Sequence, residues 1–200
     1  MWTIVIPVKH TDHGKSRLAV PGLRRTELAR AIALDTIAAA VDAARVVVVT
    51  SDHTVAREAQ VLGATIAADA GGGIDAAIAA VMPATGFRAA LLGDLPALRS
   101  EDLTDALRDA ASRPRAVVPD AEGTGSTLVT ATPGQPWASA FGHDSFARHV
   151  ALGCVPLAVA STSSLRRDVD TLAQLEAAAS LGLGPRTAAV FATRMLTASA

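Results

Sequence analysis

The chain has 200 residues, half of them hydrophobic and 3% aromatic, with a formal net charge of −1. That length suits one ordinary domain of ~100–200 residues, and the near-zero charge leaves no footprint for nucleic acid or an anionic membrane. A single cysteine, Cys154, excludes an intrachain disulfide framework and any multi-cysteine metal site. No segment reaches ~18 uninterrupted apolar residues, so no membrane span is expected. The amino terminus runs straight into a strand without a signal-peptide layout. The expectation is a soluble cytoplasmic protein with one domain over 1–200.

Trp2 to Val8 reads as a buried strand, with Pro7 at its end where a missing ladder donor does least harm. A polar loop from Lys9 to Leu18 follows and carries Lys9, Lys15 and Arg17. A strand feeding a cationic, glycine-containing loop is a common way to build a phosphate site. Gly14-Lys15-Ser16 looks like the end of a Walker A motif, but that motif needs a glycine where this chain has Lys9. Lys15 and Arg17 are candidates to meet triphosphate oxygens, Arg17 with bidentate geometry. The alternative is a solvated loop with ordinary surface charges.

Arg25 to Ala44 has helical apolar spacing among many alanines. A strand over Arg45–Thr50 follows, and Ser51-Asp52 caps a helix with its body over Thr54–Leu62. Ala64–Ile66 is a short third strand. Asp69 to Asp75 contains Gly71, Gly72 and Gly73, which allow backbone to approach a flat ligand closely; a plain connection is the competing reading. A helix over Ala76–Met82 comes next.

Arg88 to Leu92 is a short apolar run stopped by Gly93-Asp94-Leu95-Pro96. Such a run suits a strand buried on both faces of a parallel sheet. Asp94 then stands just past the strand's carboxyl end, the edge where open α/β sheets bind ligands. It is either a metal-holding carboxylate or the cap of the next turn. Ser100 is expected to cap a helix completed by Leu103–Ala111, and Arg115–Pro119 is another strand. Strict strand–helix alternation to this point predicts a parallel three-layer α/β domain.

The alternation then breaks. A turn-rich loop over Asp120–Ser126 precedes a strand at Thr127–Ala131, which fits a mixed sheet with one antiparallel strand. Phe141 to Phe146 leads into a helix that Ser145 is expected to cap, so a small anion could dock there. Val155–Ala160 is a further strand. Asp168 and Asp170 are two apart; if extended, both carboxylates point to one side, and a cation between them would relieve their repulsion. The alternative is that Asp170 caps the helix starting at Leu172. A last helix runs from Arg186 to about Leu196. The five histidines lack His-Glu-x-x-His spacing, and neither a Gly-x-Ser-x-Gly elbow nor a Gly-x-Gly-x-x-Gly turn is present.

Pro7-Val8-Lys9, Lys15-Ser16-Arg17-Leu18-Ala19, Gly93-Asp94-Leu95-Pro96, Gly125-Ser126-Thr127, Phe141-Gly142 with Ser145-Phe146 and His149, and Asp168-Val169-Asp170-Thr171 occur in this order along nearly the whole chain. Together they resemble the phospholactate/phosphoenolpyruvate guanylyltransferases of deazaflavin coenzyme F-420 biosynthesis. The resemblance implies a Rossmann-like, glycosyltransferase-A-like nucleotidyltransferase fold with a mostly parallel mixed sheet. It implies GTP and magnesium, two ions in the expected scheme, held by Asp94, Asp168 and Asp170. By the same resemblance Thr127, Gly142 and Ser145 hold the acceptor's phosphate and carboxylate, Lys15 and Arg17 face the triphosphate, and Gly72, Gly73 and Ile74 lie against guanine.

One departure stands out. The family usually shows Gly-Leu-Asn where this chain has Gly73-Ile74-Asp75, which puts guanine contact at Asp75 in question. High Ala and Arg content points to a high-GC bacterial gene, and that association selects phosphoenolpyruvate over 2-phospho-L-lactate or 3-phosphoglycerate as acceptor. The resemblance leaves room for a homodimer and for hand-off of product to the next transferase of the pathway. Two other readings stay open: a nucleotidyltransferase for another cofactor or sugar phosphate, and a nucleotide-binding scaffold without catalysis.

Overall fold

The computed structural model describes residues 1–9, 18, 20 and 23–197. Lys15 and Arg17 lie outside the described residues. Among the described residues seven strands form one sheet: β1 (Trp2–Pro7), β2 (Arg45–Thr50), β3 (Thr65–Ala68), β4 (Phe87–Leu91), β5 (Arg115–Pro119), β6 (Ser126–Ala131) and β7 (Val155–Pro156). Their spatial order is β3-β2-β1-β4-β6-β5-β7. Pairings are parallel except those of β6, which runs antiparallel to both β4 and β5. The mixed sheet anticipated from the broken alternation is therefore present, with β6 as its reversed strand.

The strand pleat sorts side chains between two faces. Ile4, Ile6, Val46 and Val48 pack with helices α1 (Arg25–Ala43), α2 (His53–Val61) and α4 (Ser100–Ala110). Val5, Val49 and Ala90 point the other way, onto α3 (Ile74–Val81) and onto Phe141 ahead of α5 (Ser145–Ala151). This is the three-layer arrangement that continuous apolar strands demand. A third cluster joins Leu28 and Ile32 of α1 to Val169 and to Leu175 and Ala178 of α6 (Leu172–Ala179). The final helix is α7 (Pro185–Thr197), with proline at the first helical position, where no N–H is needed. Among the described residues no helix is long and apolar enough to cross a membrane.

Several expected boundaries move, each for a local reason. The strand expected over Val155–Ala160 pairs only at Val155–Pro156, after which Leu157 N–H still donates to Val117 C=O at 2.9 Å and Val159 N–H turns back to Leu157 C=O at 2.9 Å. Ser100 is the first residue of α4 rather than its cap; Arg99 takes the cap position, its N–H held by Ser164 Oγ at 2.9 Å. Ser145 likewise begins α5, and Asp144 occupies the cap with a left-handed φ of 51°. Asp52 caps α2 as expected, accepting from the amides of Thr54 (2.9 Å) and Val55 (3.1 Å). Thr171, not Asp170, caps α6 through a reciprocal capping box with Gln174.

Candidate active site

The carboxyl ends of β1, β4 and β5 and the start of the reversed β6 open into one cleft of about 680 Å³. Between β1 and β4 the strand order changes direction, the place where α/β sheets leave a crevice for ligands. Pro7 and Val8 enter the cleft from β1, Gly93 and Asp94 from β4, Asp120 from β5 and Ser126 from β6. Lys9 adds a cation at the β1 side.

Asp94 is set by its backbone. The Asp94 carbonyl accepts from Val169 N–H at 3.0 Å. The next amide, Leu95 N–H, donates to the buried Thr36 hydroxyl of α1 at 3.0 Å, and Pro96 C=O accepts from Gly184 N–H at 2.7 Å. Three elements remote in sequence thus hold the Gly-Asp-Leu-Pro turn. The Val169 bond also brings the Asp168–Asp170 segment beside Asp94, and all three carboxylates line the cleft. Gln174 Oε1 accepts from Asp170 N–H at 2.9 Å, so the start of α6 anchors that segment from its far side. Upstream, Asp102 of α4 accepts from Ser164 N at 2.8 Å and Ser164 Oγ at 2.5 Å. Burial pushes the Asp102 carboxyl up, but these bonds together with Ser163 and Arg99 outweigh it and leave its pKa below the usual value.

Two carboxylates were not singled out from the sequence. Ligand oxygens of Asp120, Glu122 and Asp168 lie within 4.8 Å of one another. The buried Asp120 also accepts from Thr124 N (2.9 Å) and Gly125 N (2.6 Å), which closes the turn after β5. Gln174 Nε2 donates to Glu122 Oε1 at 3.0 Å, so one side chain braces both acidic loops. Asp120 follows β5 just as Asp94 follows β4; the strand-end rule that picks out one aspartate applies equally to the other. The converging group is thus Asp120, Glu122 and Asp168, hard oxygen donors that fit a divalent cation such as magnesium or manganese, while Asp94 and Asp170 line the same cleft outside that group.

The facing wall holds His143 and Asp144 between Gly142 and Ser145, with His143 Nδ1 2.8 Å from Asp144 Oδ2. Gly142 and Ser145 line the cleft, whereas Thr127 is fully buried on β6 beside the lining residue Ser126. The Thr127 hydroxyl has no hydrogen-bond partner among the described residues. His149 is buried, with both ring nitrogens engaged: Nδ1 faces Ser126 Oγ at 2.9 Å, and Nε2 accepts from Ala140 N–H at 2.8 Å. The accepting role of Nε2 assigns the ring proton to Nδ1. Burial pushes the His149 pKa down to about 4; nearby Asp75 raises it, while Arg148 and Arg115 lower it further. This histidine is therefore neutral at physiological pH. Of the glycine loop, only Ile74 reaches the cleft lining; Gly72 and Gly73 are exposed at its edge.

Residues 2–154 match the family described as guanylyl transferase CofC like. A phosphoenolpyruvate guanylyltransferase of Streptomyces coelicolor is 49% identical over 211 residues, covering 98% of both chains. One from Thermomonospora curvata is 44% identical, over 96% of this chain and 89% of its own. Among solved structures, a nucleotidyl transferase from Methanothermobacter superposes with a TM-score of 0.57 at 16% identity, over 90% of this chain and 97% of the other. A Mycobacterium tuberculosis H37Rv protein crystallised in complex with manganese gives 0.51 at 17% identity, over 88% and 96%. The structural likenesses speak to the fold, and the sequence matches speak to descent: the chain belongs to the CofC-like guanylyl transferase family.

Proposed function

We propose that this chain transfers GMP from GTP to the phosphate of phosphoenolpyruvate, releasing pyrophosphate and forming enolpyruvoyl-2-diphospho-5'-guanosine. The relatives named for that reaction, at 44–49% identity over nearly the whole chain, support it. The observation that carries it is the Val169-to-Asp94 backbone bond of 3.0 Å, which joins two acidic segments far apart in sequence at one end of the sheet.

In this scheme Asp94, Asp168 and Asp170 would hold magnesium, two ions with substrates bound, and Asp120 and Glu122 would add negative charge beside Asp168. Bound divalent cations would neutralise phosphate charge and orient attacking and leaving oxygens. Ser145 and the Gly142 backbone hold the acceptor's phosphate and carboxylate, and the unpartnered Thr127 hydroxyl stands behind them as a donor. Lys15 and Arg17 meet the triphosphate from outside the described residues. Gly72, Gly73 and Ile74 flank guanine.

The acceptor is a phosphate with a second pKa near ~6, so it is largely ionised at neutral pH. An acceptor oxygen attacks the α-phosphorus of GTP, a new P–O bond forms, and the α–β bridging bond breaks with its electron pair leaving on pyrophosphate. No general base is required, in keeping with His149, whose two nitrogens are occupied elsewhere. Positioning and charge compensation supply the rate. One nucleotidyltransferase domain over 1–200 carries the reaction in the cytoplasm; a homodimer and hand-off of product to the next enzyme belong to the same picture.

Mass spectrometry of products tests it. The full chain is incubated with magnesium, GTP, CTP or ATP, and each of phosphoenolpyruvate, 2-phospholactate and 3-phosphoglycerate. The expected product is the guanosine diphosphate diester of phosphoenolpyruvate. Equal turnover of the three nucleotides would overturn the guanine assignment, and a preferred second acceptor would overturn the acid.

A further inference from the structure

Asp75 occupies the first turn of α3, directly after Gly73-Ile74. Its Oδ1 accepts from Ser139 Oγ at 2.7 Å and from Phe141 N–H at 3.1 Å. Between these two, Ala140 N–H donates to His149 Nε2 at 2.8 Å. Three consecutive residues are thus pinned alternately by α3 and α5. Arg148 fastens the end of the same segment, donating from Nη2 to Phe141 C=O at 2.9 Å. The Phe141 ring stands edge-on to His149 with centroids 4.9 Å apart. The segment delivers Phe141 and Gly142 into the cleft. Two hydrogen bonds accepted by one carboxylate oxygen are charge-assisted, about twice as strong as neutral ones, and they commit Asp75 to this segment.

We propose that Asp75 is a positioning residue for the acceptor wall: it holds Ser139–Phe141 so that Gly142 and Ser145 present their polar groups to the acceptor, rather than reading the guanine base. The inference rests on the nucleotidyl-transfer reading of the cleft. Because Asp75 adjoins the glycine loop, one side chain then joins the nucleotide side of the cleft to the acceptor side. Asparagine at 75 would keep a carbonyl oxygen in the same place and lose only the charge.

The test uses steady-state kinetics of the full chain with GTP and phosphoenolpyruvate. Asp75→Ala should raise the acceptor KM by about 10-fold or more, the scale of losing a charged hydrogen-bond acceptor. The GTP KM and the preference for GTP over ATP should stay within about 2-fold, which locates the loss on one substrate. Asp75→Asn should recover most of the acceptor KM, and Ser139→Ala should move it in the same direction as Asp75→Ala but less. A rise in GTP KM or relaxed base choice with an unchanged acceptor KM would overturn the proposal. Amide hydrogen exchange supplies a readout independent of turnover: in Asp75→Ala the Phe141 amide should exchange faster while those of β1 stay protected. Unchanged Phe141 exchange would also overturn it. If Asp75→Ala does not fold, Asp75→Asn and Ser139→Ala decide by the same two measurements. If wild-type protein turns over no acceptor, the functional reading fails, and exchange still judges the positioning role.

Discussion

Along one wall of the cleft stand Asp94, Asp120, Asp168 and Asp170, with Glu122 close to Asp120 and Asp168; along the other stand Gly142, His143, Asp144 and Ser145, with a neutral His149 buried and hydrogen-bonded to Ser126. The acidic wall is assembled by backbone bonds between segments remote in sequence: Val169 to Asp94, and Gly184 to Pro96. The second wall is assembled by side chains gripping a short stretch of backbone, Asp75 and His149 on Ser139–Phe141. The contrast follows from what each must do. Crowded carboxylates repel one another and must be held by groups that do not titrate. In the proposed scheme the second wall offers N–H and O–H donors to an anionic acceptor, its carboxylate Asp144 faces His143 Nδ1 at 2.8 Å, and His149, kept neutral by burial, serves as a brace.

The contrast breaks most visibly if the acidic wall is not catalytic. Asp94→Asn or Asp168→Asn should lower kcat by about 10²–10³-fold, the scale seen when one preorganised electrostatic group is removed, with the melting temperature little changed. Pyrophosphate release measured with and without a chelator checks this. Chelation should abolish wild-type turnover, and full activity in the double variant would remove the metal-site assignment.

A smaller effect tests whether backbone anchoring governs the acidic wall. Thr36→Val preserves shape but strands the buried Leu95 amide and should cost about 1–3 kcal/mol, read as a lower urea midpoint. It should also lower kcat, because the displaced turn carries Asp94. Stability loss with unaltered kcat would show that the Thr36 anchor does not control Asp94.

The least effect is a pH dependence that separates the walls. His149 has a folded pKa of about 4 against an ordinary 6.5. Between those values the unfolded chain takes up a proton that the native state refuses, so stability falls as pH drops from about 6.5 to about 4 and levels below. His149→Gln, with nothing to protonate, should be less stable at neutral pH but show a shallower loss across that window. Parallel denaturation curves of the two proteins at each pH would contradict the buried neutral ring.

Much of the frame is legible in residue order. Valine-rich runs at 45–50 and 115–119 and the short apolar run ending at Leu91 are too short for helices and too continuous for half-exposed strands, and they became β2, β5 and β4. Asp94 is legible because glycine and proline punctuate its strand. Asp120 obeys the same logic but opens a turn containing Gly123 and Gly125, which gives its carboxylate a purely local reading. The caps expected at Ser100 and Ser145 fall one residue earlier, at Arg99 and Asp144, because Ser164 and a left-handed Asp144 set those helix starts, and neither is a local sequence signal.

What the order of residues determined by itself was periodicity, punctuation and the inventory of charged groups: a layered α/β chain with aspartates at strand ends and a reversed strand after residue 119. Tertiary structure alone decided which aspartates meet, that Thr36, Val169 and Gly184 hold their turn, and that Asp75 faces Ser139 and Phe141. The division has a physical cause. Strand and helix preferences arise from steric and hydrophobic rules acting over a few residues, whereas the carboxylate cluster and its braces depend on hydrogen bonds between segments tens of residues apart, which exist only once the sheet has closed its order.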